Sequence, residues 1–321
     1  MSKGLVVALT GATGFIGRHL LRALPQRGYE LRVLLRSPTV LPTASRSAVI
    51  GDLARPLNLA AALEGAGAVI HSAGPPATMS GLPEEDHRNL STDATVMLAR
   101  AAQRAGVRRF VFMSSIAAQC GPYADEALTE DFEPRPTGAY GLAKLGAERG
   151  LAELEIDWVA LRAVLVYGPG MKGNMARLLR IARSPVPLPF AGLAARRSLL
   201  SLDNLADAID TVLAAPAKLR RALIVADSEA LTVAQMIAAM RRGLGRGPGL
   251  FPLPVSLLKA ALRAAGRDQE LQLLTEPLVA SAAALRGLGW APSVSTPAGL
   301  AALAKSEQSG HAPTMGGGES I

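Results

Sequence analysis

The stretch "TGATGFIGRHL", Thr10 to Leu20, follows directly on the apolar run "LVVAL" at 5–9. Its glycines, Gly11, Gly14 and Gly17, are spaced G-x-x-G-x-x-G. The fingerprint most often met after a strand in dinucleotide-binding folds is G-x-G-x-x-G. A glycine turn that ends a strand and opens a helix lets the backbone approach a pyrophosphate, and the helix N-terminus favours its negative charge. The same glycines would serve a plain flexible turn. The surrounding sequence has to separate the two.

Outward from this turn, short apolar runs alternate with longer helix-patterned segments. The segment "GFIGRHLLRALPQRG" is expected to be a helix. Strands are expected at 30–36 (ELRVLLR), 48–52 (AVIGD), 68–74 (AVIHSAG), 108–115 (RRFVFMSS) and, as one unbroken strand, 157–168 (DWVALRAVLVYG). Helices are expected over 58–67, 91–105 and 140–154 between them. Such alternation implies βαβ units and an α/β fold with a doubly wound parallel sheet. Continuous rather than alternating hydrophobicity in the strands fits burial on both faces. A dinucleotide-binding domain is expected over 1–170, with the strand, helix and strand of 198–227 returning to it. The Pro- and Arg-rich segment 171–197 together with 228–305 reads as a smaller, mostly helical C-terminal substrate lobe. Residues 306–321 lack periodicity and are expected to be a disordered tail.

The 321 residues are 49% hydrophobic with few aromatics, enough for a large aliphatic core. The net charge of +8 admits either a plain compositional preference for Arg or a taste for anionic ligands. The basic residues are scattered and lack neighbouring aromatics, so no nucleic-acid partner is expected. Cys120 is the sole cysteine, and the four histidines show no ligand spacing. Neither a disulfide nor a metal site is expected. No apolar stretch reaches the ~18–20 residues of a membrane span, and the apolar run at 5–9 is too short for a signal h-region and reads better as a strand. A soluble, cytoplasmic protein without a membrane partner is the expectation.

In a doubly wound sheet, ligands bind beyond the C-terminal ends of the strands. Arg36 ends strand two, where NAD binders usually carry an acid for the ribose 2′-hydroxyl. A guanidinium there would grip a 2′-phosphate, so NADP(H) is the implied preference, with NAD(H) as the alternative and a solvated Arg as the bland reading. Asp52, followed by Leu53, closes strand three and could accept from an adenine amino group. "HSAG" closes strand four, where the small residues Ser72, Ala73 and Gly74 let the chain pass close beside a cofactor. His71 itself is preferred as a packed strand-end histidine.

Strand five ends in Ser114 and Ser115, and twenty-five residues later comes "YGLAK", Tyr140 to Lys144. Four residues apart, Tyr140 and Lys144 share one helix face. A phenol with a free pKa near ~10 is a poor acid–base group at neutral pH, and a nearby ammonium is expected to lower that value. Tyr140 could then move a proton while a serine hydroxyl binds the reacting oxygen and a nicotinamide exchanges hydride.

With "TGATGFIG", "FMSS", "YGLAK" and "LRAVLVYGPG" in this order, the chain resembles the extended short-chain dehydrogenases/reductases over about residues 4–300. Within them it looks like the NAD(P)-dependent nucleotide-sugar epimerase/dehydratase family. "VYGPGMKGNM" and "RRSLLSLDNLADAI" are similar to its UDP-glucose 4-epimerase-like subgroup, which includes 4-keto reductases forming UDP-N-acetylquinovosamine. The resemblance implies a Rossmann domain whose cofactor contacts fall on Thr10, Gly11, Ala12, Thr13, Gly14, Phe15, Ile16 and Gly17, besides the strand-end residues above. It implies Ser115, rather than Ser114, as the catalytic serine, Tyr140 as acid–base, and Lys144 as the group that holds the nicotinamide ribose and tunes Tyr140. Asn174 and Arg197, with Lys172 as a further candidate, match positions that contact the substrate's nucleotide diphosphate; Arg196 and Arg197 could also be a solvated loop. Two positions depart from the family pattern: Leu165 and Ser91 each stand where Asn is usual. The resemblance also suggests a homodimer through the helices beside Tyr140.

The expected activity is hydride transfer at a carbon of a UDP-linked sugar. Arg36 leans it towards exchangeable NADPH and so towards a 4-keto-sugar reductase. A UDP-sugar 4-epimerase, a reductase of a non-sugar ketone and a non-catalytic NADPH-binding scaffold are the alternatives.

Overall fold

Residues 4–42, 45–74, 85, 88–264, 266 and 274–309 are described in a computed structural model of the chain. The apolar runs become strands where expected: β1 (Val6–Thr10), β2 (Glu30–Leu35), β3 (Arg46–Val49), β4 (Ala68–His71), β5 (Arg109–Ser115) and β6 (Asp157–Ala163). Between them lie α1 (Phe15–Gln26), the short α2 (Leu59–Leu63), α3 (Ala94–Arg104) and α4 (Ala139–Ala152). A π turn, Arg88–Asp93, leads into α3, and a 3-10 turn, Ile116–Ala118, follows β5.

Further along come β7 (Leu165–Tyr167), α5 (Gly173–Arg183), β8 (Arg196–Arg197), β9 (Leu199–Ser201), α6 (Leu202–Ala214), β10 (Arg221–Val225) and β11 (Leu231–Thr232). Helices α7 (Val233–Gly243), α8 (Val255–Ala264), α9 (Ala283–Arg286) and α10 (Thr296–Ser309) complete the described chain.

The seven-stranded sheet runs β10-β6-β5-β4-β1-β2-β3, and every pair is parallel. This is a Rossmann order with one added strand. The direction of winding reverses between β1 and β4, which places the crevice beyond their C-terminal ends. One apolar layer joins the sheet to α1 and α6 through Leu20, Leu24, Leu205, Ile209 and Val212. The other joins it to α3 and α4 through Leu98, Ala102, Ala147 and Leu151. A third cluster lies elsewhere, built from Tyr167, Met175, Leu179, Ile237, Met240 and Leu300.

Four expectations are corrected. The run 157–168 forms two strands, not one. Both neighbours of β6 stop opposite Ala163, which pairs with Ser115 on one side and Val225 on the other. The chain beyond has no partner left in the main sheet, and β7 pairs with β9 instead. Strand three covers 46–49 rather than 48–52, because Gly51 turns the chain at φ +72°. Asp52 therefore lies past the strand end. Strand four stops at His71, so Ser72, Ala73 and Gly74 lie in the loop beyond it. At the C-terminus α10 continues through Ser309, four residues into the stretch expected to lack structure. Residues 310–321 fall outside those described.

Candidate active site

The glycine turn is fixed by two close approaches. Gly11 has φ +72°, and a Cβ there would lie 2.5 Å from the Ser72 carbonyl carbon. A Cβ on Gly17 would overlap the Gly11 carbonyl oxygen, so only glycine lets α1 start this close to β1. Gly14 differs from both. It is exposed, its backbone is extended, and a Cβ would meet only the Gly11 oxygen, at 3.2 Å. Gly14 also occupies the N-cap of α1 without a side-chain capping bond, and the first turn carries no acid. The first N–H groups of a helix have no intrahelical acceptors. Here they are left to an incoming anion beside a residue with no side chain, and this cradle fits a pyrophosphate.

The strand-end residues gather around that turn. Thr10 is buried, its hydroxyl is hydrogen-bonded to His71 Nδ1 at 2.7 Å, and it accepts from Ala73 N–H at 3.3 Å. His71 stacks on Phe112, and burial holds its pKa down at about 3, so the ring is neutral. Gly74 faces the site: a Cβ there would lie 3.7 Å from Ser91 Oγ and 3.8 Å from Lys144 Nζ. Ser91 Oγ and His71 Nε2 are buried with no hydrogen-bond partner among the described residues. Ala12 is buried; Thr13 is exposed, with Phe15 and Ile16 half-buried beside it. Arg36 is exposed just past β2, with no hydrogen bond or ion pair to another described residue. Asp52 is exposed as well and spends one carboxylate oxygen on Ala54 N–H at 2.8 Å, while Leu53 packs against the sheet.

Ser115, Tyr140 and Lys144 come together because α4 lies hard against the end of β5. A Cβ on Gly141 would overlap the Ala117 carbonyl, so the glycine of "YGLAK" permits the contact. Ser115 caps the 3-10 turn, accepting from Ala117 N–H at 3.2 Å, and is hydrogen-bonded to Tyr140. Lys144 is fully buried. Its Nζ donates to the Met113 carbonyl at 2.8 Å and lies 4.6 Å from the Phe112 ring centre and 5.7 Å from that of Tyr140. Burial lowers its pKa to about 8, against the opposing pull of Glu148.

Tyr140 departs from expectation in one respect: burial pushes its phenol above the ordinary value, and the opposing influence is the Ser115 hydrogen bond. Lys144 donates to the Met113 carbonyl, and its ammonium does not offset the burial of the phenol.

Ser114 has another partner. Its hydroxyl donates to Glu148 Oε1 at 2.5 Å, and Glu148 pairs with Arg162 at 2.6 Å, all three side chains being buried. Glu148 escapes a reading of the sequence alone, although its place four residues after Lys144 puts it on the same helix face.

The NAD dependent epimerase/dehydratase family model matches residues 7–226, the span from β1 to the end of β10. The chain belongs to this family. It is 30% identical over 305 residues to a UDP-glucose 4-epimerase of Vibrio cholerae, covering 89% of this chain and 90% of that one. It is 33% identical over 204 residues to a ceramide reductase of Caulobacter vibrioides, covering 63% of this chain and 58% of that one. Among solved structures, MoeE5 in complex with UDP-glucuronic acid and NAD superimposes with a TM-score of 0.74 at 26% identity. That match covers 95% of this chain and 99% of MoeE5.

The positions that in this family were expected to meet substrate are spread more widely. Lys172 and Asn174 are exposed at the start of α5, where Lys172 is the N-cap and makes no side-chain capping bond. Arg197 is half-buried, and its guanidinium donates to the Glu276 carbonyl at 2.8 Å and the Pro122 carbonyl at 2.9 Å. It is therefore a tied residue, not part of a solvated loop. Arg196 is exposed and reaches the Ala230 carbonyl. Leu165, an apolar side chain, is 46% exposed.

No helix among the described residues is long and apolar enough to cross a membrane, and no cluster of metal-ligating side chains occurs among them.

Proposed function

We propose that the chain is an NAD(P)-dependent oxidoreductase or epimerase acting on a nucleotide-linked sugar, with UDP as the nucleotide, and that it leans to 4-keto-sugar reduction. The observation that carries this reading is the bonding of Tyr140 to Ser115 with Lys144 one helix turn along. The turn from Thr10 to Gly17 would hold the cofactor pyrophosphate, Arg36 a 2′-phosphate, Asp52 and Leu53 the adenine side, and Ser72, Ala73 and Gly74 the path between. Tyr140 and Lys144 would hold the nicotinamide ribose. When bound, the cofactor supplies or accepts hydride at the reacting carbon.

The chain's own groups do the rest. Ser115 orients the substrate oxygen, and Tyr140 exchanges a proton with that oxygen through its phenol. The Lys144 ammonium favours the phenolate whenever it turns from the Met113 carbonyl towards Tyr140. Lys172, Asn174 and Arg197 would face the nucleotide diphosphate, Arg197 on releasing its backbone carbonyls. Arg36 supports NADPH, because its guanidinium is exposed at the ribose position with no acid beside it in "VLLRSP". The likeness to the Vibrio cholerae epimerase and to MoeE5 supports a UDP-sugar.

A second reading, reduction of an apolar ketone, is favoured by exposed Leu165 and by the engagement of Arg197 with backbone carbonyls. Incubation with UDP-sugars and their 4-keto derivatives, with NADPH or NADH, separates the readings. Net oxidation of cofactor marks a reductase, and sugar interconversion without it an epimerase. Turnover of apolar ketones alone contradicts the nucleotide-sugar reading. Arg36→Asp should weaken NADPH binding roughly 10- to 100-fold, the worth of a charged hydrogen bond, with little effect on NADH.

A further inference from the structure

Three consecutive residues at the end of β5 each bond to a different residue of α4. The Met113 carbonyl takes Lys144, the Ser114 hydroxyl reaches Glu148, and the Ser115 hydroxyl meets Tyr140. The helix partners lie at 140, 144 and 148, one turn apart, so strand end and helix are stapled in a single register.

The second of these, Ser114–Glu148, is anchored on both sides. Ser114 and Arg162 are cross-strand neighbours in β5 and β6. Arg162 grips Glu148 with Nε, at 3.2 Å, and with Nη2, at 2.6 Å. Its Nη1 donates to Gln119 Oε1 at 3.0 Å. Gln119 in turn donates through Nε2 to the Thr129 carbonyl and accepts, through its own carbonyl, from Arg135 N–H. One buried network thus joins β5, β6, α4 and the segment that leads into Tyr140.

From this geometry we infer that Glu148, held by Arg162 and Ser114, is a positioning residue that sets the register of α4 and so aligns Tyr140 with Ser115. The inference deepens the proposed reaction and rests on its Ser115–Tyr140 pair. It also gives the two adjacent serines separate roles: Ser114 locks the helix, and Ser115 faces the reacting oxygen. A bare structural function would be served equally by apolar side chains, since replacing both members of a buried ion pair is often neutral for stability. A register function would not, because apolar contacts permit sliding that the directed Ser114–Glu148–Arg162 bonds forbid. Among the described residues, the titratable groups that interact with Lys144 are Glu148 on its own helix and His71 from β4, which burial keeps neutral; Arg162 from β6 is paired with Glu148.

The test uses the full-length protein without substrate, so it stands apart from whether a UDP-sugar is turned over. The phenol titration of Tyr140 is isolated as the ultraviolet difference between each protein and its Tyr140→Phe counterpart. The proteins compared are wild type, Glu148→Gln, and Glu148→Met combined with Arg162→Met. Thermal unfolding is followed in parallel. The double variant is expected to recover wild-type stability yet keep a Tyr140 titration raised by about one pH unit, a tenfold change in ionisation, because the Ser115 bond is lost. Glu148→Gln, which retains an acceptor for Ser114, is expected to fall between the two in titration. A double variant whose Tyr140 titrates at the wild-type value overturns the inference, as does a Glu148→Gln titration that does not move.

Discussion

Tyr140 and Lys144 show what residue spacing discloses and what it conceals. Their four-residue separation places them on one helix face, and the fold delivers Ser115 to the same point. The resemblance implies Ser115 rather than Ser114 as the catalytic serine, and the engagement of Ser114 with Glu148 supports that proposal. A carboxylate in a helix reads as solvated until tertiary structure supplies Arg162 from another element, so Glu148 had no local signal. The balance of burial against the Ser115 hydrogen bond on Tyr140 was equally hidden. Lys144 has a consequence that is measured directly. With its pKa lowered by burial to about 8, its ammonium is present at neutral pH and lost above about 8. Turnover should therefore fall along a basic limb centred near that pH. In Lys144→Arg, whose guanidinium does not titrate in the accessible range, this limb should disappear even if the rate is low throughout. A pH–rate profile of both proteins checks it.

At the scale of elements, the glycine turn divides into structural and ligand-facing members. Gly17 is required by the approach of α1 to the Gly11 carbonyl, whereas Gly14 has only a marginal contact within the chain. Gly17→Ala should cost about 1–3 kcal/mol or more in denaturant unfolding, as overpacking against backbone does. Gly14→Ala should cost less than about 1 kcal/mol yet weaken cofactor binding at least tenfold, because its methyl enters the cradle at the N-terminus of α1. Equal effects of the two on stability would show that the turn does not divide this way. Strand existence and order were legible because continuous apolar runs mark buried parallel strands. The break at Val164 was not. Hydrophobicity continues through Leu165 to Tyr167, and only the ends of β5 and β10 decide where β6 must stop.

For the whole molecule, Asp227, just past the end of β10, gathers hydrogen bonds from β7, β9 and α6. It accepts from Asn204 Nδ2 at 2.7 Å, from Ser201 N–H at 3.2 Å and from Tyr167 Oη at 3.3 Å. Asn204 also donates to the Val294 carbonyl and accepts from Val294 N–H, beside the start of α10. Nothing in the sequence near "IVADS" announces this hub, since its direct partners Tyr167, Ser201 and Asn204 lie on β7, β9 and α6. Burial outweighs those hydrogen bonds and raises the Asp227 carboxyl from 3.8 to about 6. Between those values the folded chain holds a proton that the unfolded chain has released. The group's contribution to stability is thus full below about pH 4 and lost as pH rises through about 6. Relative to Asp227→Asn, the wild type should gain roughly 1 kcal/mol between pH 7 and pH 5, read from urea midpoints at the two values. A constant gap would place the carboxyl at its ordinary value.

The central proposal is that the parallel sheet, with its switch point at the glycine turn, brings the Tyr140 phenol to the Ser115 hydroxyl for proton exchange with a substrate oxygen. The measurement closest to that claim is made on Tyr140→Phe, with turnover and cofactor affinity determined on the same preparation. Turnover should fall about 10²- to 10⁴-fold, the usual worth of a positioned acid–base group, while the dissociation constant for the cofactor rises by no more than about tenfold, the worth of the single hydrogen bond its phenol would give the ribose. Wild-type turnover in Tyr140→Phe would contradict the account.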